Sequence, residues 1–247
     1  MASTVYMRFY AELNDLLPSE KRQVTFAHTF LGRPTVKDLI ESLGVPHTEI
    51  DLILAGEESV GFSYRVIDGD RISVYPVFEA LDINPIIRVR PEPLREPRFV
   101  LDTHLGKLAS YLRMLGFDTI YQNINSDETL ADISANERRI LLTRDRGLLK
   151  RSAVTHGYLV RADDPQKQVE EVLGRFDLKG KIKPFRLCMR CNEPLETVSI
   201  DELTDEVPPR VRKRVSEYRR CSGCGQVYWK GSHYKKMADF INRLMSG

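Results

Sequence analysis

Apolar positions between residues 99 and 121 change their spacing twice, and this stretch carries the clearest structural signal in the chain. Residues 99–101 form a short apolar run that indicates a buried strand. Four leucines then recur at nearly 3.6-residue spacing, which predicts an amphipathic helix capped by Thr103 and ended by Gly116. The residues beyond the glycine return to a strand pattern. The segment therefore predicts a β-α-β unit with parallel strands, and Asp102 lies where the first strand ends.

Two further apolar runs in this half of the chain are also followed by aspartate. Residues 139–144 lead into Asp145, and residues 157–160 are followed by Asp163. Alternation of strands and helices favours a parallel α/β sheet, and the ligands of such sheets collect beyond the carboxyl ends of the strands. Three strands that end in aspartate are thus the main functional signal of the sequence.

The first eighty residues show a different order of elements. Alternating apolar positions over residues 5–10 predict a strand. Thr35 and Asp38 form a capping box before a short amphipathic helix that ends at Gly44. The sequence Asp68-Gly69-Asp70 predicts a tight turn before a last strand. Two strands, a helix and further strands within this length predict an α+β roll.

A proline-rich stretch separates these two patterns. Residues 81–98 contain four prolines with interspersed charges, a density that disfavours both helix and central strand. We therefore predict a linker here. The predicted divisions are an N-terminal domain of residues 1–82, a linker of residues 83–98, an α/β domain of residues 99–183 and a cysteine-containing domain of residues 184–247.

Composition is ordinary for a globular protein, with 42% hydrophobic and 29% charged residues. The formal net charge is +2, but residues 1–82 carry 7 basic and 13 acidic side chains, whereas residues 166–247 carry 17 and 11. The basic C-terminal end is expected to meet a polyanion. No run reaches the roughly 18 apolar residues of a membrane span, and the N-terminus lacks a signal-peptide layout. We expect a cytoplasmic protein with no membrane partner.

Carboxylates gathered from several strand ends match the oxygen ligands that Mg²⁺ or Mn²⁺ prefers, and such ions activate water for phosphodiester hydrolysis. Few histidines accompany them, which disfavours a zinc hydrolase. The helix before Asp145 supplies a further acid, for which Asp127, Glu128 and Asp132 compete. Each aspartate is also explained by a turn or a helix cap. The predicted catalytic set is Asp102, Asp127, Asp145 and Asp163.

All four cysteines of the chain lie in two C-x-x-C pairs. The pairs are Cys188 with Cys191 and Cys221 with Cys224. In a reducing compartment this spacing predicts a structural Zn²⁺ site closed by four thiolates rather than disulfides. The 29 residues between the pairs exceed the usual spacing, and a helix over residues 208–218 would account for them.

Basic side chains accompany both the aspartates and the cysteines. Clusters of cations with aromatic neighbours hold the phosphates and bases of single-stranded nucleic acid. Internal salt bridges and a solvated basic helix with Trp229 in a core are the competing interpretations. The predicted substrate-binding residues are Lys107, Arg113, Arg144, Arg146, Arg212, Lys213, Arg214 and Trp229, with Lys107 and Arg113 on the polar face of the first helix.

The N-terminal pattern resembles the ubiquitin-like β-grasp domains related to sulfur carriers. The resemblance rests on the opening hairpin, the helix TVKDLIESLG and the ending DGDRISVYPVF. Those carriers end in Gly-Gly, which is absent after Phe78 here. The resemblance therefore implies a structural or partner-docking module rather than carrier chemistry.

The C-terminal half resembles the Mut7-C ribonuclease domain, a PIN-like nuclease fused to a zinc ribbon. The segment from Asp102 to Asp118, the runs ILLTRDRGLL and LVRADDP and the paired C-x-x-C motifs carry the resemblance, and a Mut7-C ubiquitin module precedes this domain in that family. The resemblance implies metal-dependent endoribonuclease activity from Asp102, Asp145 and Asp163. An RNA-binding adaptor without hydrolysis and a sulfur-carrier relative are the alternatives.

Overall fold

A computed structural model describes residues 2–76, 96–123, 126–203 and 206–246. The chain divides into two compact units, residues 1–96 with 125–159 and residues 97–124 with 160–247. The predicted linker of residues 83–98 lies mostly outside the described residues.

Twelve strands and seven helices are found in the described part of the chain, besides short 3₁₀ turns. In chain order they are β1 (Ser3–Phe9), β2 (Phe26–Phe30), α1 (Val36–Ser42), β3 (Ile50–Ala55), β4 (Glu58–Ser59), β5 (Arg71–Pro76), β6 (Phe99–Leu101), α2 (Gly106–Met114), β7 (Thr119–Tyr121), α3 (Asp127–Glu137), β8 (Ile140–Thr143), α4 (Arg146–Leu149), β9 (Gly157–Leu159), α5 (Pro165–Arg175), β10 (Leu195–Val198), α6 (Pro209–Arg212), β11 (Tyr218–Cys221), β12 (Val227–Trp229) and α7 (Ser232–Ser246).

The N-terminal domain in the first unit is a mixed five-stranded sheet with the order β2-β1-β5-β3-β4. The central strands β1 and β5 run parallel, and the other neighbours are antiparallel. Alternate residues of β1 are buried together with the apolar face of α1. The capping box of Thr35 and Asp38 forms as predicted, and Gly44 has φ +96° after the helix. This domain has the expected α+β β-grasp fold.

The predicted parallel strands are confirmed in each unit. β8 pairs with β9 in the first unit, and β6 pairs with β7 in the second. Gly116 ends α2 with φ +91°, as expected for a glycine after a helix. The start of that helix differs from the prediction, because Asp102 caps a 3₁₀ turn over Thr103–Leu105 and α2 begins only at Gly106.

The second unit ends in a zinc-ribbon fold, the antiparallel sheet β10-β11-β12 followed by α7. Helix α7 packs against α2 within this unit, since the centroid of the Phe240 ring lies 5.2 Å from that of Tyr111. The helix predicted over residues 208–218 is too long. Only α6 forms, because Tyr218 is drawn into β11 and is buried in a small apolar cluster.

Candidate metal centre and acidic strand ends

The four cysteines converge at the knuckles of the ribbon. Their sulfur atoms all lie within 4.8 Å of one another, and none is in a disulfide. The Sγ atoms of Cys188 and Cys224 are 3.6 Å apart, and those of Cys191 and Cys221 are 3.3 Å apart. Four sulfurs around tetrahedral zinc, each about 2.3 Å from the ion, lie roughly 3.8 Å from one another. The donor set therefore fits a structural zinc ion.

Local hydrogen bonds favour the thiolate form of Cys188. Its Sγ lies 3.1 Å from the hydroxyl oxygen of Tyr228. Burial raises the pKa of Cys188, but hydrogen bonds from Tyr228 and from the backbone N–H groups of Cys191 and Arg190 outweigh it and lower the pKa to about 7. Because the thiolate is the zinc-binding form, this cysteine is prepared for a metal near neutral pH.

Arg113 supplies positive charge beside this cluster. Its Nε donates to the carbonyl of Thr119 at 2.9 Å, and its Nη1 donates to the carbonyls of Arg190 at 2.8 Å and Met189 at 3.3 Å. Its side chain is buried, so the prediction that it lies on the polar face of its helix is wrong. Burial lowers the pKa of Arg113, and the neighbouring thiols oppose that shift when ionised. A zinc ion held by four thiolates would give the cluster a net charge of −2, which this guanidinium would partly balance.

Two predicted catalytic aspartates lie in the second unit. Asp102 directly follows β6 and is almost fully buried, and its Oδ1 accepts hydrogen bonds from the backbone N–H and the hydroxyl of Thr103 at 2.5 and 3.0 Å. Asp163 lies on the exposed segment before α5. The adjacent Asp164 caps α5 by accepting from two backbone N–H groups.

The other two predicted catalytic aspartates lie in the first unit and are exposed. Asp127 is the first residue of α3, which Ser126 caps. Asp145 follows β8 and caps α4, with its Oδ1 2.6 Å from the backbone nitrogen of Gly147. The competing acids Glu128 and Asp132 also lie on α3 and are exposed.

Among the residues that the structure describes, the four cysteines are the only group of three or more Cys, His, Asp or Glu side chains close enough to share an ion. Asp102 and Asp145 make local capping contacts instead. The catalytic roles of the four aspartates therefore remain predictions.

The helix after Asp145 is hydrogen-bonded to the β-grasp domain within the first unit. The Nη1 atom of Arg146 donates to the carbonyl of Leu16 at 3.0 Å, and the Nζ atom of Lys150 donates to the carbonyl of Glu41 at 2.6 Å. Arg146 is a predicted substrate-binding residue, and at least one of its guanidinium nitrogens is thus hydrogen-bonded within the protein.

A histidine and a glutamate of the β-grasp domain also form hydrogen bonds to the backbone of the segment from α4 to β9. The Nε2 atom of His47 lies 2.9 Å from the carbonyl of Val154, and its Nδ1 lies 2.7 Å from the carboxylate of Glu41. The carboxylate of the fully buried Glu49 accepts the backbone N–H of Leu159, at the end of β9, at 2.8 Å. Side chains of α4 and side chains of the β-grasp domain therefore both contribute the hydrogen bonds that hold α4 and β9 against the ubiquitin-like domain.

The remaining predicted substrate-binding residues differ in exposure. Lys107, Arg144, Lys213 and Arg214 are exposed. Arg212 donates to the carbonyls of Leu203 and Val207 at 2.6 and 3.1 Å, which orders the insertion of the ribbon. Trp229 is half-buried against the apolar cluster of the ribbon.

Two structural side chains at the site were not found from the sequence. The carboxylate of Glu171 accepts the backbone N–H groups of Arg161 and Ala162, both at 2.9 Å, and braces the segment before Asp163. Asn192 accepts from the backbone of Thr119 at 2.8 Å and ties the first knuckle to β7. Neither position carries a local signal, although asparagine after a C-x-x-C pair suits the positive φ of +80° found there.

Comparison with protein families gives two matches that cover most of the chain. Residues 97–241 match the family described as the Mut7-C RNAse domain, and residues 2–82 match Mut7-C ubiquitin. The chain belongs to the Mut7-C RNAse family. The resemblance inferred from the sequence is confirmed, and membership in this family supports a ribonuclease-type function. No curated protein matches this Mut7-C chain.

Within the described residues of the Mut7-C protein, no helix has both the length and the apolar character needed to cross a membrane.

Proposed function

We propose that this Mut7-C protein is a cytoplasmic, PIN-like endoribonuclease that depends on Mg²⁺ or Mn²⁺. The match of residues 97–241 to the RNAse domain carries the proposal. Asp102, Asp145 and Asp163 follow strands in that region, and Asp127 provides the helix-borne acid, in competition with Glu128 and Asp132. Carboxylates are the ligands that these hard cations prefer.

Backbone N–H groups orient two of these carboxylates. One oxygen of Asp102 is held by the N–H of Thr103, and one oxygen of Asp145 is held by the N–H of Gly147. Such charge-assisted bonds fix the direction of each carboxylate, and the hydroxyl of Thr103 adds a further bond to Asp102. When bound, the divalent ion would supply an activated water and neutralise charge on the phosphate.

RNA contacts in this proposal come from the exposed cations. Lys107 and Arg144 lie close in sequence to Asp102 and Asp145, whereas Lys213, Arg214 and Trp229 belong to the ribbon. Cations that neutralise phosphates make binding weaken as salt concentration rises. A zinc ion bound by the ribbon would have a structural role, since four protein thiolates would fill its coordination sites.

Substitution of the aspartates tests the assignment. Asp102→Asn and Asp145→Asn should each lower Mn²⁺-dependent cleavage of a single-stranded RNA by about a hundredfold or more, the size expected for a catalytic proton-transfer or charge-stabilising group. RNA binding should stay equal or become tighter, because negative charge is removed. Asp239→Asn, an exposed aspartate of α7, is the matched control. Unchanged cleavage by both variants would reject the catalytic assignment of Asp102 and Asp145.

An RNA-binding adaptor without hydrolysis is the second candidate. The observation in its favour is that the described residues contain no group of three carboxylates close enough to share an ion. The two candidates differ in one measurement, since an adaptor binds RNA but leaves it intact with Mg²⁺ or Mn²⁺ at any concentration.

A further inference from the structure

A cavity of about 300 Å³ lies between the ribbon and α7, and Trp229 is the wall residue that the proposed function already uses. Its walls include four aromatic rings, each half-buried. They are Phe185, Tyr228, Trp229 and Tyr234. This volume is at the lower end of the roughly 300–1,000 Å³ range of small-molecule sites.

One of these rings is presented by a strained backbone. Phe185 has φ +58°, which is rare for a bulky residue. Its N–H donates to the carbonyl of Met114 at 2.8 Å, and its carbonyl accepts from the Nη1 atom of Arg219 at 2.6 Å. Its ring lies 4.7 Å from that of Tyr234, tilted by 35°. Strain that the surrounding structure maintains is often found at ligand sites.

The rim of the cavity is cationic. Arg219 and Lys230 both line it and are exposed, and among the described residues of its lining Glu217 is the one acid. Lys230 pairs with Glu217 at 2.5 Å and lies 6.0 Å from the centre of the Tyr234 ring. Aromatic walls below two cations match a planar base that is attached to anionic phosphates.

We infer that this cavity binds one unpaired nucleobase of single-stranded RNA, stacked among the four rings, while Arg219 and Lys230 contact the flanking phosphates. This inference rests on the proposed ribonuclease function, because the RNA is the substrate of that activity. A base within a duplex is stacked and paired, and therefore cannot enter. The ribbon thus selects single-stranded segments.

Trp229 reports on this site directly, because it is the single tryptophan of the chain. The experiment titrates the full-length, zinc-loaded protein with a 2′-O-methylated single-stranded RNA oligonucleotide that cannot be cleaved by attack of its own 2′-hydroxyl. No Mg²⁺ or Mn²⁺ is added. The single strand should quench Trp229 fluorescence, whereas the duplex of the same sequence and inorganic polyphosphate should leave it nearly unchanged.

Variants separate stacking from general charge. Tyr234→Ala should weaken single-strand binding by about fivefold to a hundredfold, the range of one lost stacking contact. Tyr234→Phe should bind within about twofold of the wild type, since it keeps the ring. Tyr6→Ala removes an exposed tyrosine of β1 and is the matched control. Zinc content and thermal unfolding check that each variant is folded.

Ultraviolet crosslinking of the wild type to a 4-thiouridine oligonucleotide provides a test that needs no variant. Crosslinks at Phe185, Trp229 or Tyr234 are the expected result. Crosslinks elsewhere, or binding of duplex and polyphosphate as tight as that of the single strand, would overturn the base site. Quenching by the single strand without cleavage would overturn the nuclease proposal and leave the base site standing. Cleavage that Tyr234→Ala does not affect, in the absence of quenching, would overturn the base site and leave the nuclease proposal standing.

Discussion

The Nη1 atom of Arg146 donates a hydrogen bond of 3.0 Å to the carbonyl oxygen of Leu16, 130 positions earlier in the chain. Arg146 is the first residue of α4, and Asp145 caps that helix. The ubiquitin-like domain is therefore bonded to the helix that immediately follows one of the predicted catalytic aspartates. The module thus has a structural role within its own chain.

Loss of this contact should loosen the first unit. The double change Arg146→Ala and Lys150→Ala removes the bonds to the carbonyls of Leu16 and Glu41. A net contribution of about 1 kcal/mol for each hydrogen bond predicts a loss of roughly 2 kcal/mol in the free energy of unfolding, measured by urea denaturation. Hydrogen exchange should become faster in α4.

Arg151→Ala is the control for that experiment, because Arg151 is exposed and close in sequence to the same helix. It should change the free energy of unfolding by less than about 0.5 kcal/mol. An equal loss in the control and in the double variant would show that the two bonds contribute nothing specific.

Gly116 cannot be replaced without strain. A Cβ atom at this position would lie 2.1 Å from the carbonyl oxygen of Lys183, and the residue has φ +91°. Gly116→Ala should therefore cost at least about 2 kcal/mol in unfolding free energy. Gly174→Ala is the matched control, since Gly174 lies within α5 and a Cβ atom there would meet open space, and it should stabilise by about 0.5–1 kcal/mol. Thermal unfolding of both variants measures the contrast.

Zinc removal should unfold the ribbon. Native mass spectrometry should find one zinc ion per chain, and chelation should abolish the near-ultraviolet circular dichroism of Trp229, because a four-thiolate site stabilises the knuckles that frame it. Cys188→Ser should lose the ion, whereas Ser222→Ala, an exposed neighbour of Cys221, should keep it. The zinc assignment would be contradicted if the measured mass showed a protein that carries no metal and contains two disulfide bonds.

Asp38 should give α1 a pH-dependent cap. Its carboxylate accepts the N–H of Thr35 at 2.9 Å, and hydrogen bonds with Thr35 hold the pKa of Asp38 below its usual value. The folded pKa is lower than the unfolded pKa, so the stabilisation is complete above about pH 4 and is lost as pH falls through the folded value. Asp38→Asn should therefore destabilise the protein at pH 7 and much less near about pH 3.

Urea unfolding at both pH values measures this difference. Asp15→Asn, at an exposed aspartate in the same domain, should show no such dependence. A cost for Asp38→Asn that is the same at both pH values would exclude the charged cap.

The features that sequence predicted well depend on residues that are close together in the chain. The capping box of Thr35 and Asp38, the glycine stop at Gly116 and the strands that precede Asp102 and Asp145 are set by local backbone preferences and by the period of apolar residues. The two C-x-x-C pairs belong to the same class, since their spacing by itself favours a metal knuckle.

The sequence pattern gave wrong predictions where tertiary packing determined the structure. Arg113 has the spacing of a surface residue, but its side chain is buried and donates to three backbone carbonyls, of which those of Met189 and Arg190 are distant in the chain. The helix expected over residues 208–218 shortened because pairing in β11 and burial of Tyr218 outweighed helical propensity. Tertiary contacts commonly override such weak local preferences.

Sequence by itself thus determined the order of elements, the position of the aspartates after strands and the four cysteines that could hold a metal ion. Only the tertiary structure decided that Arg146 and Lys150 bond to the ubiquitin-like domain, that Arg113 lies beside the cysteines and that Phe185 packs against Tyr234 in the wall of one cavity. These contacts join residues far apart in the chain, and their geometry follows from how whole elements pack rather than from any local pattern.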